Sequence, residues 1–371
     1  MDINISRIRT DKQNEFFYNY YSKHLKKIIS SGNYINGSET KKFETDFSKY
    51  LKVKKTIGVA NGTDAIYLCL KLMGIGKGDE VITTAFTAFP TIVAILMASA
   101  KPVFADIDYD TWLINKKEIM EKITKKTKAI IPVHIFGNVF DIDNLKRVIP
   151  KKICIIEDAA QAHGSMINGK KAGSLSDLAT FSFYPTKNLG GCGDSGAITT
   201  NSIKYFDKLI KMRNLGMKNK DEFVESGMNS RIDELQSLIL RTKLKKLDIL
   251  NQARKKKYNI YLKYLDKNYL SPQLINKNVI SNYHIAQFTF KGNKKKLINY
   301  LSKKKIQTNV YYEKPHHLQK VLKNFNYKKG DLKITEKVCN ESIALPLYPE
   351  ILDSDIYRVV DAINFFLKKN K

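Results

Sequence analysis

Six short apolar runs recur between residues 81 and 200: VITTA (81–85), KPVFADI (101–107), AIIPVHIF (129–136), CIIED (154–158), ATFSFY (179–184) and GAITT (196–200). Each reads as a strand, and helix-like segments lie between several of them. Such alternation implies an α/β domain, a largely parallel or mixed sheet with helices on both faces. In these sheets, ligand sites collect at the carboxyl ends of the strands.

Helical patterns flank this region. Residues 13–30 place Phe16, Phe17, Tyr20, Tyr21, Leu25, Ile28 and Ile29 at helical spacing, and Gly32 closes the run. Residues 38–51 predict a second helix, and Asn61 caps a third from Thr63 to Leu72. From Asn229 a long helical pattern leads toward a C-terminal part containing QFTFKG, VYYEKPHHLQ and a last amphipathic helix at 353–368. The expected division is a large domain over 1–245 and a small one over 246–371.

The net charge of +28 raises the question of nucleic acid. The basic residues are mostly lysines scattered through Lys-, Asn- and Ile-rich sequence, with clusters at 242–257, 291–305 and 367–371 that read as solvated faces. No nucleic-acid motif accompanies them, so a basic scaffold or nucleic-acid-binding protein is the remote alternative. Cys69, Cys154, Cys192 and Cys339 have no paired spacing, which argues against a disulfide framework or a metal site. Cys69 and Cys154, inside apolar runs, are expected to be buried. The apolar stretch around Thr91–Ala100 is too short to span a bilayer, and the first residues lack an apolar signal core. The expectation is a cytoplasmic protein.

Two strand ends carry chemistry. In SFYPTKNLGGCGDSGAI (182–198), Lys187 follows a strand and precedes a glycine-rich loop; in CIIEDAAQAHG (154–164), Asp158 ends another strand. A lysine and an aspartate so placed suit pyridoxal phosphate: the amine forms a Schiff base with the cofactor aldehyde, and the carboxylate keeps the pyridine nitrogen protonated. With ANGTDAIYLCL (60–70) and MNSRIDELQS (228–237), these segments resemble the DegT/DnrJ/EryC1/StrS family of nucleotide-sugar aminotransferases, in family order over most of the chain.

The resemblance implies fold type I of the pyridoxal phosphate enzymes, like aspartate aminotransferase, and a homodimer with shared sites. It implies Lys187 as the catalytic lysine and acid/base, Asp158 as the pyridinium partner, and Gln161 at the phenolic oxygen. His163 would lie further out. Gly62 and Thr63, at a helix start, and Ser182 would bind the phosphate. Asn229 would reach the phosphate of the neighbouring subunit. The family's ring-stacking aromatic falls on Ala88 in TAFTAFPT, so Phe89, or else Phe86, is expected to cover the ring. Tyr311, Tyr312 and His317 match a family segment that contacts sugar or cofactor, though Tyr311 stands in place of the family's first histidine and Glu313 in place of its proline. Arg213 and Lys218 are candidates for the nucleotide pyrophosphate.

KNLGGCGDSGA looks like the loop of members that act on 3-keto sugars rather than the ITTGEGG pattern of C4 enzymes. The implied reaction moves an amine from L-glutamate to a dTDP-3-keto-6-deoxyhexose by a ping-pong route, for glycan or O-antigen-type products. A UDP-3-keto sugar or a C4 enzyme is the alternative. Dehydratases on this fold replace the lysine with histidine, so Lys187 argues against that activity.

Overall fold

The structure, a computed structural model, describes residues 5–15 and 17–370; Phe16 of the first helical pattern lies outside them. That pattern forms two helices, α1 (Thr10–Glu15) and α2 (Tyr18–Ser31), with Gly32 closing α2 in the left-handed region. Ser38–Leu51 is α3, and Gly62–Leu72 is α4.

A seven-stranded sheet organises the larger part of the molecule. Its strands are β1 (Lys55–Val59), β2 (Glu80–Thr84), β3 (Lys101–Ala105), β4 (Thr127–Ile130), β5 (Cys154–Asp158), β6 (Leu178–Ser182) and β7 (Gly196–Thr200), in the order β1-β7-β6-β5-β4-β2-β3. Only β7 runs against its neighbours; β6, β5, β4, β2 and β3 are parallel. The sequence shows why both faces are covered. Side chains alternate along a strand. Val81, Ala129 and Ile156 enter one core with α4, while Ile82, Ile130 and Ile155 enter the other with Phe43, Phe47 and Phe181. Runs apolar at every position therefore bury both faces, as parallel sheets require.

A second core gathers around the three-stranded antiparallel sheet of Leu270–Pro272, Ala286–Phe290 and Ser342–Leu345 and the C-terminal helix Asp353–Lys369. The helical pattern from Asn229 breaks into Glu234–Leu244 and Leu247–Tyr264. The second of these spans both cores, since Leu247 packs with the large one and Tyr258 and Tyr261 with the small one. A cut at 245/246 therefore needs correction on two counts. Ile5 bridges to Ile306 and packs in the small core, and Val338 and Cys339 return to the large one. Cys69 is buried as expected, but Cys154, at the start of β5, is only half-buried.

Candidate active site

Three parallel strands, β1, β6 and β5, end at the same edge of the sheet with β7 between the first two, and the motifs sit on those ends. β1 leads through Asn61 into α4, β5 stops at Asp158, and β6 stops at Ser182. Asn61 Oδ1 accepts the Asp64 N–H at 2.8 Å and so caps α4. The first-turn N–H groups of Gly62 and Thr63 have no intrahelical acceptor. Glycine is required at the first of them: a Cβ on Gly62 would lie 2.8 Å from the Ser182 Cβ, so strand and helix could not meet this closely with any other residue. Gly62, Thr63, Ser182, Asp158 and Lys187 line one cavity of about 270 Å³. At its edge are open amides and the positive end of an eleven-residue helix, a setting for a phosphate.

Asp158 is buried and held on both carboxylate oxygens. Oδ2 accepts from the Thr91 hydroxyl at 2.7 Å and Oδ1 from the Ala160 N–H at 3.1 Å. Thr91 is in turn 3.0 Å from the Thr87 hydroxyl. One residue back, fully buried Glu157 accepts from the N–H groups of Gly173, Leu175 and Ser176, each at 2.7 Å, and lies 3.1 Å from His134 Nε2. This saturated carboxylate fixes the end of β5.

Lys187 lines both this cavity and a smaller one of about 120 Å³. Both spaces open onto it, so it is half-exposed by area, yet enough protein surrounds its amine for burial to push the pKa down to about 8 against the opposing pull of Asp158. Gln161, Tyr311 and Tyr312 line the smaller cavity. Gln161 Oε1 accepts the Phe136 N–H at 2.9 Å, and its Nε2 donates to the Tyr312 hydroxyl at 3.2 Å. Burial keeps that hydroxyl protonated by raising its pKa. His163 packs against Phe181 and Phe183, and burial with nearby Lys187 pushes it down to about 3, so it is neutral.

Several expected residues are elsewhere. Ala88, not an aromatic, lines both cavities. The Phe89 ring packs edge-on to His316, Phe86 is buried against Trp112, Phe136 and Tyr312, and neither lines either cavity. His317 is turned onto Glu336 at 3.1 Å, away from both cavities; His316 is the histidine beside Tyr312. Arg213 is buried, its Nη1 donating to Glu44 and to the Gly58 carbonyl at 2.7 Å, and it lines neither cavity. Lys218 is exposed on a hairpin and pairs with Glu222 at 3.0 Å, clear of both cavities. Asn229 is exposed and outside both cavities, its backbone bridged to Asn214. Thr91, Tyr184 and Asp194 line the larger cavity without having been singled out. Only Thr91 had a local signal, as a hydroxyl just after Pro90 at a helix start.

These residues fit pyridoxal phosphate. Open helix-start amides beside Ser182 suit a phosphate, the buried carboxylate suits a ring nitrogen, and the amine of Lys187 has no hydrogen-bond partner among the described residues. Fold and site together define a pyridoxal phosphate-dependent transaminase. The chain belongs to the DegT/DnrJ/EryC1/StrS aminotransferase family, whose pattern it matches over residues 19–364. It is 40% identical to a "pleiotropic regulatory protein" of Geobacillus stearothermophilus, over 93% of each chain. It is 39% identical to the dTDP-3-amino-3,6-dideoxy-alpha-D-galactopyranose transaminase of Aneurinibacillus thermoaerophilus, over 92% of this chain and 93% of that one. Among solved structures, DesV of S. venezuelae, in complex with a ketimine intermediate, superposes with a TM-score of 0.94 at 30% identity, covering 98% of both chains. Further matches of this fold were solved in forms with pyridoxal phosphate and pyridoxamine phosphate.

Proposed function

We propose that the enzyme aminates C3 of a dTDP-linked 3-keto-6-deoxyhexose, taking the amine from L-glutamate and giving a dTDP-3-amino-3,6-dideoxyhexose for glycan or glycosylated-metabolite synthesis. The observation that carries this reading is the 39% identity, over nearly the whole chain, to a transaminase named for such a product. The KNLGGCGDSGA loop after Lys187 supports it.

When bound, pyridoxal phosphate supplies a carbonyl that takes up the donor's amine and a ring that withdraws electrons from the neighbouring carbon. The chain does the rest. Gly62, Thr63 and Ser182 would hold the phosphate. Asp158, fixed by Thr91, would pair with the ring nitrogen and keep it charged. Gln161, oriented by the Phe136 N–H, has a second Nε2 proton for the phenolic oxygen. Lys187 Nζ would take a proton from the donor's α-carbon in the first half-reaction and deliver one to C3 of the sugar in the second. A pKa near 8 suits an amine that must both accept and return protons near neutrality. Tyr311 and Tyr312 border the space in which the sugar reacts.

The working unit in this reading is a homodimer. Asn229 is exposed and away from the cavities of its own chain, which supports a role at the partner's phosphate. We place the enzyme in the cytoplasm; its four cysteines are free, and no helix among the described residues is long and apolar enough to cross a membrane. The test is product NMR with each ketone supplied separately. Nitrogen should appear at C3 of the dTDP-3-keto sugar. Nitrogen at C4, or turnover confined to UDP-sugars, would overturn the substrate while leaving the transaminase in place.

A further inference from the structure

The smaller cavity contains a cation that the reaction as described does not use. Arg7 lines it together with Lys187, Gln161, His284, Tyr311 and Tyr312, and no Asp or Glu lines it among the described residues. The Arg7 backbone is pinned. Its N–H donates to Gln307 Oε1 at 3.2 Å, and its carbonyl accepts from the Leu347 N–H at 3.2 Å. Two residues earlier, Ile5 exchanges hydrogen bonds with the 305–307 segment, both at 3.0 Å. The side chain is oriented as well. Arg7 Nη1 donates to the Tyr311 hydroxyl, and the guanidinium carbon lies 5.5 Å from that ring's centre. Arg9, two residues on, closes on Asp11, whereas Arg7 faces no carboxylate among the described residues.

The neighbouring histidine does not supply the missing anion or a competing cation. Asn188 Nδ2 donates to Asn251 Oδ1 at 2.7 Å and to the Asn282 carbonyl at 2.9 Å, so its Oδ1 is the acceptor toward His284 Nδ1 at 2.9 Å. The His284 proton therefore sits on Nδ1. Burial, with the positive charges of Lys187, Arg254 and Arg7, keeps the ring neutral.

An oriented guanidinium beside an amine, with no acid in the wall, is a site for an anion. The space is about 120 Å³, below the roughly 300 Å³ at which drug-sized ligand pockets begin. A space of this size does not hold a whole nucleotide, and the planar fork of arginine matches a carboxylate. We propose that Arg7 binds a substrate carboxylate in this cavity, brought either by the amino donor or by a uronate sugar. Which substrate brings it rests on the transaminase reading; the carboxylate site itself does not.

The test compares wild-type holoenzyme with Arg7→Gln and Arg7→Lys, each first shown to keep the wild-type melting temperature. Glutarate, a dicarboxylate that cannot transaminate, is titrated by calorimetry. The glutamate and nucleotide-sugar half-reactions are then followed separately. Loss of a charge-assisted hydrogen bond predicts glutarate binding weakened roughly 10- to 100-fold in Arg7→Gln, with KM for glutamate rising in step and kcat changing less. Arg7→Lys keeps the charge without the fork and should fall between the two. A loss confined to the half-reaction with a carboxylated sugar assigns the site to the sugar and still supports it. The proposal is overturned if folded Arg7→Gln matches wild type in glutarate binding and in both half-reactions, or if wild type binds no glutarate and Arg7→Gln leaves both half-reactions unchanged. If glutarate binding depends on Arg7 but no amine is transferred to any ketone, the transaminase reading fails and the carboxylate site stands.

Discussion

The most direct consequence of the site's electrostatics concerns the amine of Lys187. Burial lowers its pKa from 10.5 to about 8, while Asp158 pulls the other way. The neutral, nucleophilic fraction at pH 7 is then about 9%, against about 0.03% for an ordinary lysine, a gain of about 300-fold. The perturbation is Asp158→Asn. It removes the negative charge that favours the ammonium, so the pKa must fall further and the free-amine fraction must rise. In the proposed mechanism Asp158 is the charged partner of the ring nitrogen, so turnover should nevertheless drop severely. Competitive acylation of the cofactor-free protein across pH, with the Lys187 peptide quantified by mass spectrometry, reads the titration directly. Wild type should show its half-point near pH 8 and the variant a lower one. A wild-type half-point at pH 10 or above, or an upward move in Asp158→Asn, would refute the account of this amine.

Three further outcomes follow from particular contacts. Glu157→Gln places an amide group among backbone N–H donors and should cost about 2–4 kcal/mol of stability, read as a lower urea midpoint; an unchanged midpoint would mean that this carboxylate does not secure β5. Gly62→Ala brings a methyl to 2.8 Å from the Ser182 Cβ, so helix and strand must part; dialysed protein should retain much less pyridoxal phosphate by visible absorbance, and full retention would contradict the phosphate assignment. If subunits share sites, mixing inactive Lys187→Ala with impaired Asn229→Ala should recover activity above that of either alone, and no recovery would argue against Asn229 acting across the interface.

What the sequence discloses is set by how local each signal is. β5 and β6 announce themselves as apolar runs ending in a polar residue, and their ends carry Asp158 and Ser182. β1 was missed, because five residues containing Gly58 after a lysine run carry little strand signal. Its place is decided by pairing with β7, over a hundred residues on. Contacts between distant residues are hidden for the same reason. Arg213 reads as a candidate for an anion because the carboxylate it meets, Glu44, is 169 positions away. His316 and His317 are adjacent, and spacing cannot tell which turns toward Tyr312; Glu336 decides it by capturing His317. Arg7 carried no motif at all, since it reaches the cavity only because residues 5–7 pair with 305–307.

The single reversed strand accounts for how one short stretch supplies so much of the site. Had the chain crossed over into another parallel strand after β6, it would have had to travel to the far end of the sheet. Instead β7 returns antiparallel beside β6, so residues 183–195 stay at the end where β1 and β5 stop. The loop is drawn tight by bonds of 2.8 Å from the Lys187 N–H to the Tyr184 carbonyl, from the Gly191 N–H to the Phe183 carbonyl and from the Phe183 N–H to the Ser195 carbonyl. Such a turn leaves no room for side chains on its inner side: a Cβ on Gly190 would stand 2.4 Å from the Pro185 carbonyl oxygen. The glycines after Lys187 are thus what allows the chain to double back under the lysine and hold its amine between the two cavities, where it borders Asp158 and Ser182 on one side and Gln161, Tyr312 and Arg7 on the other.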